Sequence, residues 1–358
     1  MQFRRLLRSQ LRSWFAAFFS PHYMHDPIEK LVSSWGSNDL TAMNKQLISL
    51  ERWLFKSYEP DKFHNGDFWL RLEKYLNNVT TDADRQLLFR LVAELFYVGP
   101  NEFEELYRCV YQGPIARWLI DRCNINVFAH DAQQQLKNAA SETWFCPITD
   151  SFRINQFFHV NNLAAVTDLR PDWRSLLELG DTQGILNAYC TDNKIKRLVL
   201  LEDFVGGGDQ SLATVRYAAT LAHGLEVLFV PLIICPAGNV KARSLEVELC
   251  RQRAGSLHYE AGMELPDDAF LTLTKSPYAE PNEIVTEFRG LIKATYPKVS
   301  GGEPIGEKPY HPFGYPTGDP TGGLLVMYSN TPDNTLPLVH WCPKGNSWNP
   351  IFPRHSRV

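Results

Sequence analysis

No stretch constrains the fold more than Lys196 to Gly224, KRLVLLEDFVGGGDQSLATVRYAATLAHG. The apolar run Leu198 to Leu201 has the character of a buried strand, and it ends in an acidic pair, Glu202 and Asp203. Phe204 and Val205 then lead into three consecutive glycines, Gly206, Gly207 and Gly208. Asp209, Gln210 and Ser211 suit a helix N-terminus. Leu212, Val215, Ala218, Ala219 and Ala222 follow at helical spacing until Gly224 supplies a stop. A second apolar run, Val227 to Cys235, is again short enough for a buried strand. Strand, glycine loop, helix and strand in that order predict an α/β fold with a parallel sheet.

Three glycines between strand and helix let the backbone turn tightly and bring N–H groups close to an anion at the helix N-terminus; the expected guest is a phosphate. Two carboxylates just ahead of the loop repel a phosphate unless sugar hydroxyls or a metal engage them. A phosphorylated sugar satisfies both halves. The loop is not a Walker motif, since Asp209 and Gln210 follow the glycines where Lys-Ser/Thr is needed. Glu226, at the start of the second strand, is misplaced for the ribose-binding acid of a dinucleotide fold. The competing reading is a ligand-free strand, turn and helix, which many α/β proteins contain and against which the acidic pair argues.

At 358 residues the chain is long for one core and predicts two domains. A net charge of -4 gives no general attraction for nucleic acid. The seven cysteines include no CxxC pair, which implies reduced thiols in a cytoplasm. His22 and His25 lack a third metal ligand nearby, and no apolar run is long enough to span a bilayer. At the N-terminus, Arg4, Arg5, Arg8 and Arg12 interleave with Phe3, Leu6, Leu7, Leu11, Trp14 and Phe15. This predicts an amphipathic helix whose basic face is either solvated or meets a membrane surface, a nucleic acid or an acidic partner. Arg12 interrupts the apolar region that a signal peptide needs.

From Asp39 to Asn124 the pattern is helical. Leu47, Leu50 and Leu54 mark one helix; Thr81 to Asp84 resemble a capping box, and Leu87, Leu88, Leu91, Leu95 and Phe96 continue the next. Gly99-Pro100 ends it. A helix capped by Asn101 runs to Gly113-Pro114 and resumes through Trp118 to Ile120. Trp53, Phe55, Trp69, Phe89 and Tyr107 are expected in the core. The polar stretch Gln133 to Glu142 reads as a passage between modules, which divides the chain into an α-helical N-terminal module, 1–138, and an α/β domain, 139–358. In the second part, Thr143 to Ile148 predicts a strand, and Thr149, Asp150 and Ser151 form a turn or a helix cap. Asn155, His159 and Asn161 fall on a helix, Arg170-Pro171 on a turn and Trp173 to Leu179 on a short helix. Further on, a helix over Gly238 to Ala254, one or two strands between Leu257 and Leu273, and a helix over Glu283 to Thr295 are expected. Gly301 to Gly323 should be a long ordered loop, and Leu324 to Tyr328 a strand.

The acidic pair at a strand end, two apolar residues and a small-residue loop opening a helix resemble the ribose-phosphate motif of type I phosphoribosyltransferases. The tail, NTPDNTLP followed by WNPIFPR, crowds Asx and Pro residues in a pattern that fixes a loop. Tail, helical front and LVLLEDFVGGGDQ together resemble PRTase-CE, a phosphoribosyltransferase-like family of prokaryotic conflict and antiphage systems that includes retron-associated effectors. The resemblance implies a type I phosphoribosyltransferase-like parallel sheet behind the helical module. It gives Glu202 and Asp203 the ribose hydroxyls of phosphoribosyl pyrophosphate, with Asp203 stabilising the positive charge that grows on the ribose carbon. It gives the loop Phe204, Val205, Gly206, Gly207, Gly208, Asp209, Gln210 and Ser211 the 5′-phosphate. Thr149, Asp150 and Ser151 stand where the family receives pyrophosphate, and Asn334 in the tail motif is a further candidate for binding substrate. The loop departs from the family in having Gly206 and Gly207 where hydroxyl residues are usual. Mg²⁺ is implied as cofactor, and a reverse transcriptase with its RNA-DNA product as partner. Phosphoribosyl transfer or donor hydrolysis is the expected chemistry; a non-catalytic ribose-phosphate sensor and a protein-interaction module are the alternatives.

Overall fold

The computed structural model describes residues 26–60, 67–164, 173, 183–221, 224–252, 256–266, 269–271, 283–301, 311–315, 322–343 and 347–354. The basic segment with Arg4, Arg5, Arg8 and Arg12, the pair His22 and His25, the Arg170-Pro171 turn, the helix expected after Trp173 and most of the Gly301–Gly323 loop lie outside the described residues. The chain forms two compact units, 100–270 and the combination of 1–99 with 271–358.

The N-terminal helices of the first unit are α1 (Asp26–Ser34), α2 (Asn38–Trp53), α3 (Phe68–Leu76) and α4 (Asp82–Ala93). Local chemistry sets their starts: Ser37, Asp67 and Thr81 each accept a main-chain N–H at the N-cap. The helix expected to run through Leu95 and Phe96 ends at Ala93, and β1 (Phe96–Val98) follows. Its aromatic and β-branched residues suit a strand, and its parallel partner lies more than two hundred residues away, beyond the reach of local pattern.

In the second unit, α5 (Pro100–Val110) passes through a π-helical turn, Tyr111–Ile115, into α6 (Ala116–Arg122). The wider turn takes up Pro114 without a break, so Gly113-Pro114 does not end the helix. Then come α7 (Ala132–Ser141), β2 (Thr143–Pro147), α8 (Ile154–Val160), α9 (Gln183–Asp192), β3 (Arg197–Val205), α10 (Asp209–Leu221), β4 (Glu226–Ile234), α11 (Pro236–Gln252), β5 (Ser256–Tyr259) and β6 (Met263–Glu264). The sheet is parallel throughout, ordered β2-β3-β4-β5 with β6 also against β4. Strands added in chain order send both crossover helices to one face. There Leu212, Val215 and Ala219 of α10 and Ala242, Leu245 and Leu249 of α11 share a core with Trp144, Leu198, Leu200 and Val227. The other face is aromatic: Phe145 of β2 meets Tyr111, Phe157 and Phe158, and Tyr107 meets Phe152 and Phe157.

That packing moves a boundary. The division expected between residues 138 and 139 falls inside α7, and α5 to α7 belong to the same compact unit as the sheet. Helical periodicity marks them as helices, but it is contacts with the sheet layer, Tyr107 and Tyr111 on Phe157 and Phe145 and the Thr143 hydroxyl donating to the Ala139 carbonyl of α7 at 2.8 Å, that tie them to the α/β core.

The first unit is completed by α12 (Glu283–Ser300), β7 (Leu325–Met327), which pairs with β1, and α13 (Pro337–His340). The tail motif is packed there. Tyr58 donates to the Pro353 carbonyl at 2.8 Å, Arg71 Nε to Ile351 at 2.8 Å, and Trp348 Nε1 to Leu338 at 2.8 Å. Phe352, fully buried, sits edge-on to Phe55 and Tyr58. Of the aromatic residues expected in the core, Phe55, Trp69, Phe89 and Tyr107 are buried, whereas Trp53, at the last position of α2, is 74% exposed.

Candidate functional site

In a parallel sheet all strands end on the same edge, where open α/β proteins bind ligands. Here that edge gathers Thr149 to Ser151 after β2, Glu202 and Asp203 near the end of β3, the glycine loop beyond it, and Gly238 after β4. Ile148 N–H donates to the Leu201 carbonyl at 2.8 Å, which fixes the turn after β2 beside the acidic pair.

Glu202 and Asp203 are both buried, at 4% and 6% exposure. Glu202 Oε2 accepts the Thr149 N–H at 3.2 Å and Oε1 accepts the Thr149 hydroxyl at 2.9 Å. Asp203 Oδ1 accepts the Ser151 hydroxyl at 3.0 Å and the Phe204 N–H at 2.9 Å. The two hydroxyl oxygens are themselves 2.7 Å apart. Four oxygens thus stand in a row, Glu202, Thr149, Ser151 and Asp203, with three short contacts between them. Two hydroxyls supply two protons and both go to the carboxylates, so the contact between the hydroxyl oxygens has no proton of its own while both acids are ionised, and protonation of one carboxyl relieves it. The electrostatics run the same way. Burial, and then the charge of Asp203, push Glu202 well above the ordinary carboxylate range against the pull of its bonds from Thr149, and exposed Asp150 adds to the rise. Burial also raises Asp203, while Ser151 and Phe204 pull it down.

The turn is therefore no helix cap. The cap position of α8 is Arg153, whose side chain does not cap the helix, and the Thr149 and Ser151 hydroxyls go to the carboxylates.

The glycine loop is shaped by close approach. Gly208 has φ +85°, a left-handed conformation, and a Cβ there would lie 2.9 Å from Leu212 Cδ1. Its carbonyl accepts the Leu212 N–H at 2.9 Å, opening α10. A Cβ on Gly238 would lie 2.4 Å from the Gly206 carbonyl oxygen, so the start of α11 rests on the loop. Val205, Gly207 and Gly208 are buried, Phe204, Gly206 and Ser211 are half-buried, and Asp209 and Gln210 are exposed. Asp209 does not face the loop as a lone charge: Lys241 of α11 reaches its Oδ1 at 2.5 Å. Neither Gly238 nor Lys241 stands out in the sequence, because both lie within a helix pattern and gain meaning only when α11 packs beside the loop.

Asn334 belongs to the first unit. Its side-chain N–H donates to the Tyr315 carbonyl at 2.9 Å and its own carbonyl accepts the Gly323 N–H at 3.0 Å, both scaffold contacts of the tail.

A family model, PRTase-CE, matches residues 72–354. The chain belongs to the PRTase-CE family. The mixed α/β architecture with a parallel sheet agrees with a phosphoribosyltransferase-like fold in this PRTase-CE member, and the match covers both the acidic pair with its loop and the tail. No curated protein and no solved structure matches the chain. Among the described residues no helix is long and apolar enough to cross a membrane, and no three His, Cys, Asp or Glu side chains gather as a metal site.

Proposed function

We propose that this PRTase-CE protein binds phosphoribosyl pyrophosphate at the end of β3 and transfers its phosphoribosyl group to an acceptor, or hydrolyses it, as an effector of antiphage defence. The observation that carries the reading is the buried pair Glu202 and Asp203, each already accepting one hydroxyl from a pair of oxygens 2.7 Å apart. Two carboxylates so engaged are chemically matched to the two neighbouring hydroxyls of a ribose. Beside them the loop from Gly206 to Ser211, with Lys241 close by, supplies N–H groups and a cation for a 5′-phosphate. Mg²⁺ binds through one or two carboxylates plus substrate phosphates, which fits a site holding Glu202 and Asp203 and no larger acidic cage among its described residues. When bound it would neutralise a leaving pyrophosphate. Asp203 would hold the sugar and stabilise the positive charge that develops on its reacting carbon. A retron setting, with a reverse transcriptase and its RNA-DNA product as partners, belongs to this proposal.

A second reading, a non-catalytic ribose-phosphate sensor, draws on the glycine loop, which has no hydroxyl at Gly206 or Gly207 and has Gly207 and Gly208 buried. One experiment separates the two. The protein is titrated with phosphoribosyl pyrophosphate and Mg²⁺ while pyrophosphate release is followed. Release that Asp203→Asn abolishes supports the enzyme, saturable binding without release selects the sensor, and no binding at millimolar concentration removes both.

A further inference from the structure

The acidic pair is not open to a ligand in this conformation. Thr149 gives both its N–H and its hydroxyl to Glu202, Ser151 gives its hydroxyl to Asp203, and both carboxylates are buried under the turn. The two hydroxyl oxygens, 2.7 Å apart, repeat on the protein's own side chains the arrangement of a vicinal diol, one oxygen for each carboxylate. We propose that the turn Thr149–Ser151 is an internal stand-in for a ribose diol, an autoinhibitory contact that a ribosyl ligand must displace to reach Glu202 and Asp203. This rests on the ribose reading above.

The construction of the turn suits such a part. Ile148 and Phe152 anchor its two ends in the core, at 1% and 2% exposure, with Ile148 held to β3 and Phe152 against Tyr107 and Phe157. Between these anchors Thr149 is half-buried, and Asp150 and Ser151 are exposed. Rotation about two side-chain bonds removes both hydroxyls while the strand and the aromatic anchor stay in place. The Thr149 N–H bond to Glu202 survives that rotation. Asp150, at the apex, brings a third negative charge toward the pair, so the closed arrangement is a compromise: it satisfies two buried acceptors with small hydroxyls and places a carboxylate beside them. A ligand offering the same two hydroxyls loses part of its binding energy to displacing them, as for any ligand whose competent state is a fraction of the population.

The test compares ribose 5-phosphate binding by calorimetry to the wild type and to the double variant Thr149→Val, Ser151→Ala, which keeps the main-chain bond and removes both hydroxyls. The expected result is binding about tenfold tighter in the variant, the effect of two competing hydrogen bonds, together with a lower melting temperature without ligand. If the double variant does not fold, Ser151→Ala alone, at an exposed position, should bind about threefold tighter. Equal or weaker binding in the folded variant would overturn the autoinhibitory contact and leave the ribose site intact. Failure of wild type and variant alike to bind at millimolar concentration would remove the ribose reading, and this inference with it.

Discussion

In the tail of the first unit the buried polar side chains are donors, and each is spent on a main-chain carbonyl: Tyr58 on Pro353, Arg71 on Ile351, Trp348 on Leu338. At the end of β3 in the second unit they are acceptors, Glu202 and Asp203, held by the hydroxyls of a short, partly exposed turn. The tail and the end of β3 both lie within the residues that match the family, yet they use burial differently. A donor locked onto a carbonyl has no exchangeable partner, so the tail is a scaffold. A buried carboxylate satisfied by a rotatable hydroxyl can trade that hydroxyl for another, and its burial raises the cost of holding charge until it does.

The largest effect that tests this contrast is on stability. Phe352, without exposed surface and packed against Phe55, Tyr58, Phe68 and Tyr97, should lose about 3–5 kcal/mol on Phe352→Ala in a denaturant melt. Asp203→Asn keeps the side-chain shape and removes a buried charge, so it should melt within about 1 kcal/mol of wild type. On the proposed enzymatic reading, the same variant should lose about a hundredfold or more in turnover of phosphoribosyl pyrophosphate, with Glu202→Gln weaker in the same direction. A folded Asp203→Asn protein with full activity would break the comparison from the other side.

The two regions should also respond to pH with opposite signs. Burial raises Glu202 from its ordinary value of 4.5, so the folded state holds more protons there than the unfolded chain; that stability is present at low pH and is lost as pH rises through the raised value. His340 is fully buried, with Nε2 on the Thr335 carbonyl at 3.2 Å, and burial lowers it from 6.5 to about 4. Its unfolded form binds the proton first, so its contribution is lost as pH falls from 6.5 toward 4. Melting curves between pH 4 and 7 should therefore show Glu202→Gln gaining on wild type as pH rises, and His340→Gln losing less than wild type as pH falls. Parallel curves for all three proteins would contradict both assignments.

Much of the second unit was legible in the chain because its determinants are local. The run into Glu202 and Asp203, the three glycines and the helical spacing after them predict β3, the loop and α10 where they stand, and Thr143 to Ile148 predicts β2. What was not legible depends on contacts between distant segments. Phe96 to Val98 continues a helical pattern and becomes a strand because β7 lies beside it; α5 and the turn after it join the α/β core because Phe157 meets Tyr107 and Tyr111, and α7 joins it through the Thr143 hydroxyl on the Ala139 carbonyl. Within the site the residues were legible and their arrangement was not. Thr149 and Ser151 could be noticed after a strand, but only the sheet register brings their hydroxyls to Glu202 and Asp203.

The smallest effect concerns Lys241, which sequence pattern leaves inside an ordinary helix. Its ion pair with Asp209 is half-exposed on both sides, so it adds little stability, at most about 1 kcal/mol, and Lys241→Met should melt nearly as wild type does. On the proposed ribose-phosphate reading, its place beside the first residue of α10 lets it add a positive charge at the phosphate, because the three glycines offer N–H groups but no charge of their own. Lys241→Met should therefore bind ribose 5-phosphate about threefold more weakly and free ribose no differently. Asp209→Asn, which releases the lysine and removes a negative charge from the helix N-terminus, should strengthen phosphate binding by a similar factor. The opposite signs are what discriminate. If both substitutions weaken binding alike, the pair is part of the scaffold that positions α11 against the loop, and the site at the end of β3 holds its phosphate on main-chain N–H groups alone.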